Sequence, residues 1–128
     1  MRYPVMIEAG DENTAWSVVV PDLAGCFSAG DTLDEAMSAV EEAAAAWIDA
    51  ALDRGREIPR PSSAQSAMEK GDFSGWIVSY VNVDPALLDD TIERVNITLP
   101  KRVLMRLDAK ARESGQSRSG YIAHMAIG

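Results

Sequence analysis

The sequence predicts an α+β protein in two parts, and three observations carry that expectation. Short β-branched and aromatic runs, separated by Gly, Pro and Asp turns, occupy the first stretch and return near residue 80. One long segment between them repeats its apolar residues at steps of three and four. The end of the chain changes habit, from a two-residue alternation to two short helical stripes.

Taken in order, Tyr3 to Ala9 reads as a strand and Asp11-Glu12-Asn13 as a turn. Trp16 to Val20 reads as a second strand, closed by Pro21. Cys26 to Ala29 is a short third strand that Gly30 is expected to break. Thr32 then caps a long helix, and Glu35 three residues on completes a capping box. Leu33, Ala36, Met37, Val40, Ala44, Trp47, Ile48, Ala51 and Leu52 make one apolar stripe, opposite Asp34, Glu41, Glu42 and Asp49. Gly55 suits the end of the helix and Pro59 prevents its restart. Arg60 to Gly75 reads as a loop with a helical turn near Ala64–Met68, and Trp76 to Val83 as a fourth strand. Residues 1–84 are thus β-β-β-α-β, a helix on a mainly antiparallel sheet. Residues 85–90 read as a linker that could hold a helical turn, and residues 91–128 as a separate module.

Charge divides the chain at the same place. The 128 residues carry a net charge of −8. Residues 1–90 hold 17 acidic and 5 basic side chains, a net −12; residues 91–128 hold 3 and 7, a net +4. Phosphate would repel the body and attract the tail. With 47% hydrophobic residues a true core is affordable. The single cysteine, Cys26, forms no internal disulfide and is read as a small buried residue. No signal peptide or membrane span is visible, so a cytoplasmic protein is expected.

In the tail, Val95, Ile97 and Leu99 alternate with Arg94, Asn96 and Thr98, the period of a half-buried strand. Pro100 is expected at the first position of a helix carrying Val103, Leu104, Leu107 and Ala111. Gly115 stops it, and Ser117 caps a second helix carrying Tyr121, Ile122, Met125 and Ala126. So short a module cannot bury a core alone, and a lone strand leaves its backbone groups unpaired. Antiparallel pairing with the same strand of a second copy answers both needs. The resulting two-stranded ribbon fits a DNA major groove. There Arg94 can reach guanine, Asn96 adenine, and Thr98 a polar edge or a thymine methyl. Ser117, Arg118 and Ser119, at the start of the second helix, form a candidate phosphate clamp.

These residues resemble the ribbon-helix-helix repressors of the Arc and MetJ kind. The matching features are R-V-N-I-T-L before Pro100, the helix stripe, and Gly115-x-Ser117-x-Ser119. By that resemblance Arg94, Asn96 and Thr98 fall on base-reading positions. One departure is that the second helix reaches Gly128 a little early. The body resembles the N-terminal domain of HicB-type antitoxins, through the run from Trp16 to Ala36 that contains Pro21-Asp22-Leu23, Gly25-Cys26, Gly30-Asp31-Thr32 and Glu35-Ala36. The resemblance implies a reduced ribonuclease-H-like fold without a catalytic constellation. It implies an antitoxin that sequesters a small basic HicA-type toxin, which cleaves messenger RNA, and that represses its own operon at operator DNA. An acidic body suits a basic partner. The tail would form a homodimer, and pairing through the bodies could extend it to a tetramer. The toxin-contacting residues are not identifiable from the sequence.

Two rivals remain at this stage. A ribbon-helix-helix repressor could sense a small organic ligand through the body without any toxin. A nuclease could use Asp22, Asp31 and Glu35 as converging carboxylates. Against the nuclease, Asp31 and Glu35 suit a helix start, and Asp22 suits a turn. The lone His124 has no partner in sequence. No zinc spacing, P-loop or dinucleotide fingerprint occurs, so no catalytic residue, metal or cofactor is expected. Core filling accounts for Met6, Met37, Met68, Met105 and Met125, and Trp16, Trp47 and Trp76 read as core or interface anchors.

Overall fold

The structure is a computed structural model that describes residues 1–89 and 93–127. It divides into two compact units, Met1–Asp90 and Thr91–Gly128. In the first unit, β1 (Arg2–Glu8), β2 (Trp16–Val19), β3 (Phe27–Gly30) and β4 (Ile77–Asn82) form one antiparallel sheet in the order β3-β2-β1-β4. Helix α1 (Leu33–Asp53) packs against β2 and β3, and the short α2 (Ala64–Met68) packs against β1.

The core follows from the two periodicities. Tyr3, Val5 and Ile7 of β1, Val18 of β2 and Val81 of β4 share a face with Ala36, Val40, Ala44 and Ile48 of α1. Those helix positions recur every four residues, which keeps them on one line. Small side chains at Ala36 and Ala44 allow the helix to lie close to the sheet. Each fully buried Val or Ile here is worth about 1.5–3 kcal/mol relative to an exposed one. Strand β1 is central, and its five interior residues, Tyr3 to Ile7, are all buried. Met6 on β1 and Ala67 on α2 are fully buried outside the helix–sheet cluster, so β1 is covered on both faces.

Two local expectations need correction. Gly30 does not break β3; it is the last residue of the strand, paired with Trp16. A Cβ there would lie 2.6 Å from Ala36 N and 2.9 Å from Glu35 Cβ, so glycine lets the first turn of α1 rest on the strand end. The capping box is shifted by one residue. Thr32 Oγ1 accepts from Glu35 N at 3.1 Å, but Glu35 Oε2 accepts from Asp31 N at 3.0 Å, not from Thr32 N. The helical turn allowed for in the linker stretch is a 3₁₀ turn, Pro85–Leu88, which Asp84 caps and which packs on α1 within the first unit. Asp90 lies outside the described residues.

Helix α1 ends as its sequence suggests. Gly55, at φ +69°, follows the cap residue Arg54, and Arg56 N donates to Ala51 O at 2.9 Å. That is a Schellman closure, which needs a left-handed residue at this point. The second unit repeats the device: Gly115, at φ +68°, follows Ser114, and Gln116 N donates to Ala111 O at 2.9 Å.

The second unit contains α3 (Lys101–Glu113) and α4 (Arg118–Ile127). Pro100 is the cap of α3 rather than its first residue, and its carbonyl accepts from Leu104 N at 3.0 Å. Residues 93–99 carry no strand in the single chain. A strand is stabilised by its ladder, and no neighbouring strand lies beside this segment among the described residues. Of the side chains described in this unit, only Ala111 is buried. Met105 and Met125, read from sequence as core filling, are exposed.

Candidate functional site

Two surfaces of opposite charge are the candidates, and each is built differently. On the second unit, Arg94, Asn96 and Thr98 are exposed. So are the intervening Val95 and Ile97, at 73% and 60%. Both the polar and the apolar side of this segment are thus open in the single chain. Thr98 and Arg118 line one open cleft of about 320 Å³ with Ile97, Leu99 and Leu104. Arg94 and Asn96 do not line it. Lys101, Arg102, Arg106, Lys110 and Arg112 are exposed on α3, which accounts for most of the positive charge.

The start of α4 is organised as a capped helix. Ser117 Oγ accepts from Gly120 N at 3.0 Å, and Ser117 O from Tyr121 N at 2.9 Å. Ser119 is exposed as the second residue of the helix, in its positive first turn. Arg118 is placed otherwise than the sequence suggested. Its Nε donates to Asp108 Oδ1 at 2.8 Å and a terminal nitrogen to Asp108 Oδ2 at 2.9 Å. This two-pronged pair ties α4 to α3. The Arg118 guanidinium holds the Asp108 carboxyl below the usual carboxylate range. Sequence reasoning missed Asp108, because a contact between residues ten apart across a turn has no helical or strand period. Its one signal is that Asp108 is an acid among the bases of α3.

In the first unit the carboxylates weighed as catalytic have other work. The Asp22 side chain is 1% exposed and sits in the β2–β3 turn. It accepts from Ser62 N at 2.8 Å and Ser62 Oγ at 2.7 Å, and pairs with Lys70. Burial pushes its pKa up, but Lys70 and Ser62 together outweigh burial and hold it below the ordinary range. Asp22 thus fastens the loop after α1 to the sheet. Tyr3 assists by donating to Pro59 O at 2.6 Å, and Trp47 Nε1 donates to Ala24 O at 3.0 Å. Asp31 and Glu35 are joined at the start of α1. Cys26 is buried, which pushes its thiol pKa up. Trp16 and Trp47 pack at the core margin, and Trp76 meets Phe73 edge to face with centroids 5.2 Å apart. His124 is exposed on α4. Among the described residues, no group of three or more His, Cys, Asp or Glu could hold a metal ion. No helix described is long and apolar enough to cross a membrane.

An acidic sheet-and-helix unit, with its buried carboxylate locked into structure, and a basic helical unit with open apolar sides together define a binding protein. Known proteins agree with that class. Residues 3–126 match the model of the HicB-like antitoxins of bacterial toxin-antitoxin systems. The chain belongs to that family. It is 35% identical over 128 residues to an uncharacterised 14.9 kDa protein from the rep-hol intergenic region of Haemophilus phage HP1, covering 98% of this chain and 95% of that protein. The crystal structure of the Burkholderia pseudomallei antitoxin HicB is similar with a TM-score of 0.62 at 29% identity, covering 99% of this chain and 96% of that one. A HicA3 and HicB3 toxin-antitoxin complex contains a chain similar at 31% identity and a TM-score of 0.55, covering 66% of this chain and all (100%) of that chain.

Proposed function

We propose that this antitoxin neutralises a small basic HicA-type toxin through its first unit and represses its own operon through its second. The observation that carries the toxin half is the likeness to a chain of the HicA3 and HicB3 toxin-antitoxin complex, which spans 66% of this chain. Residues 91–128 are too few to supply that share, so the first unit takes part in the match. Its net −12 charge favours a basic partner, chiefly by speeding encounter and rejecting acidic competitors. The first unit, residues 1–84 in its sequence limits, is the reduced ribonuclease-H-like domain of this proposal.

The DNA half rests on the second unit. Its net +4 charge, its exposed Arg94, Asn96 and Thr98, and its uncovered Val95 and Ile97 all suit a ribbon-helix-helix dimer. Pairing residues 94–98 of two copies would bury the apolar side and turn the polar side to the groove. The cap at Ser117 and the exposed Ser119 offer backbone and hydroxyl donors to a phosphate. Arg118 serves that clamp through its grip on Asp108, which sets the angle at which α4 leaves the turn. The protein acts in the cytoplasm, where messenger RNA and operator meet.

Co-expression with a small basic HicA-type toxin tests the toxin half. A stable complex on size exclusion with light scattering, and rescue of growth from that protein's toxicity, are expected. Absence of both would overturn the antitoxin assignment. For the DNA half, Arg94→Ala should weaken operator binding by about 1–3 kcal/mol and relax specificity at one base. An equal loss on random DNA would remove Arg94 from base reading.

A further inference from the structure

We propose that the free edge of β3, with Phe27 as its anchor, is the surface on which the first unit docks its basic protein partner. This rests on the antitoxin assignment above and adds the place of contact. Phe27 is 69% exposed. It is the opposite neighbour of Ser28, whose hydroxyl turns inward and donates to Ala36 O at 2.8 Å. By strand alternation Phe27 and Ala29 share the face away from α1. An exposed Phe at a sheet edge is the kind of aromatic that anchors interfaces once water is excluded.

The edge itself is open. β3 pairs with β2 and with no other strand of the described residues. Its outer N–H and C=O groups are therefore available to an added strand. Its sequence, Phe-Ser-Ala-Gly, has none of the lysines or prolines that commonly blunt such edges.

Charge selects the occupant. From residue 3 to residue 53 the chain holds 11 acidic side chains and no lysine or arginine. Asp22 is buried against Lys70; the other ten are exposed. Several gather at the Gly30 end of β3, roughly 10 Å along the strand from Phe27. Asp31 shares an open cavity of about 370 Å³ with Asp11 and Glu12, and Asp34 and Glu35 open α1 beside it. Such a rim repels a second copy of the acidic unit and any nucleic acid, and admits a segment rich in Lys or Arg with an apolar side chain for Phe27. The other edge strand, β4, also exposes apolar groups, Ile77, Val78 and Tyr80, but Arg2 stacks on Tyr80 at 4.2 Å and puts a cation there.

Binding of the full chain to a purified basic HicA-type toxin is the test, read by surface-immobilised kinetics at several salt concentrations. Phe27→Ser should raise Kd about 10–100-fold, chiefly through faster dissociation, with an unchanged melting temperature. The double change Asp31→Asn with Asp34→Asn should slow association and flatten its salt dependence. Tyr80→Ser on β4 should leave both rates unchanged. Tight wild-type binding that survives Phe27→Ser, or that is lost with Tyr80→Ser instead, overturns the β3 edge alone. No binding by the wild-type chain overturns the antitoxin assignment and this proposal with it.

Discussion

Ile97→Asp should abolish dimerisation and operator binding together while leaving the first unit folded. In the proposed ribbon each copy buries one Ile97 against its own α3 and its partner. In the single chain that side chain is 60% exposed and lines a cleft with Leu99 and Leu104. Losing its burial in both copies removes roughly 3–6 kcal/mol at 1.5–3 kcal/mol each. That corresponds to a dimer weakened on the order of 10²–10⁴-fold, before the cost of desolvating two carboxylates. Sedimentation equilibrium and operator binding by anisotropy give the two readouts. Circular dichroism gives the control, since Met1–Asp90 is a separate compact unit. A variant that remains a dimer and still binds the operator would remove the ribbon from the account. Operator binding lost with the dimer intact would place the defect in the groove contact instead.

The second large effect belongs to Asp22→Asn, and it should depend on pH. The buried carboxylate serves three donors: the Ser62 amide, the Ser62 hydroxyl and the Lys70 ammonium. An amide in its place keeps one acceptor oxygen and turns a donor toward the cation. The loss at neutral pH should be about 1–3 kcal/mol, the usual worth of hydrogen bonds to a charged group. For a unit of this size that is a fall of roughly 4–24 °C in melting temperature. Because the folded pKa of Asp22 is lowered, its contribution is present above the ordinary carboxylate value of about 4. It is lost as pH falls through the lower folded value. Melting curves of both proteins from neutral pH into acid should therefore converge at the acid end. A gap of constant size across that range would show that shape, not charge, sets the role of Asp22. An unaltered melting temperature at pH 7 would show that the Asp22–Ser62–Lys70 cluster holds nothing together.

Most of the first unit was legible in the sequence because its signals are local. The four-residue spacing of Ala36, Val40, Ala44 and Ile48 defines a helix face, and those four side chains are the ones fully buried. Thr32, Gly55 and Gly115 mark helix ends through chemistry confined to a single turn. The helical turn at Ala64–Met68 was visible for the same reason. The family resemblance carried by the run from Trp16 to Ala36 agrees with the match over residues 3–126.

What failed was whatever depends on an approach in space. Gly30 looked like a strand breaker, because nothing in a linear pattern shows that Ala36 N passes 2.6 Å from where its Cβ would be. The tail methionines looked like core because a stripe on a helix does not say which copy of the chain will cover it. The pairing of Arg118 with Asp108 was invisible for the same reason, since Asp108 reaches it only after the chain turns at Gly115.

The sequence by itself determined the α+β class, the helix face, the helix ends and the opposite charges of the two units. Each is set by spacing or composition along the chain. Only the tertiary structure decided that β1 lies at the centre and β3 and β4 at the edges, that Asp22 is a buried fastener, and that Arg118 is held by Asp108. Strand order and long-range ion pairs join residues from about ten to eighty positions apart. Their free energy depends on burial and on distances between groups that no local pattern encodes.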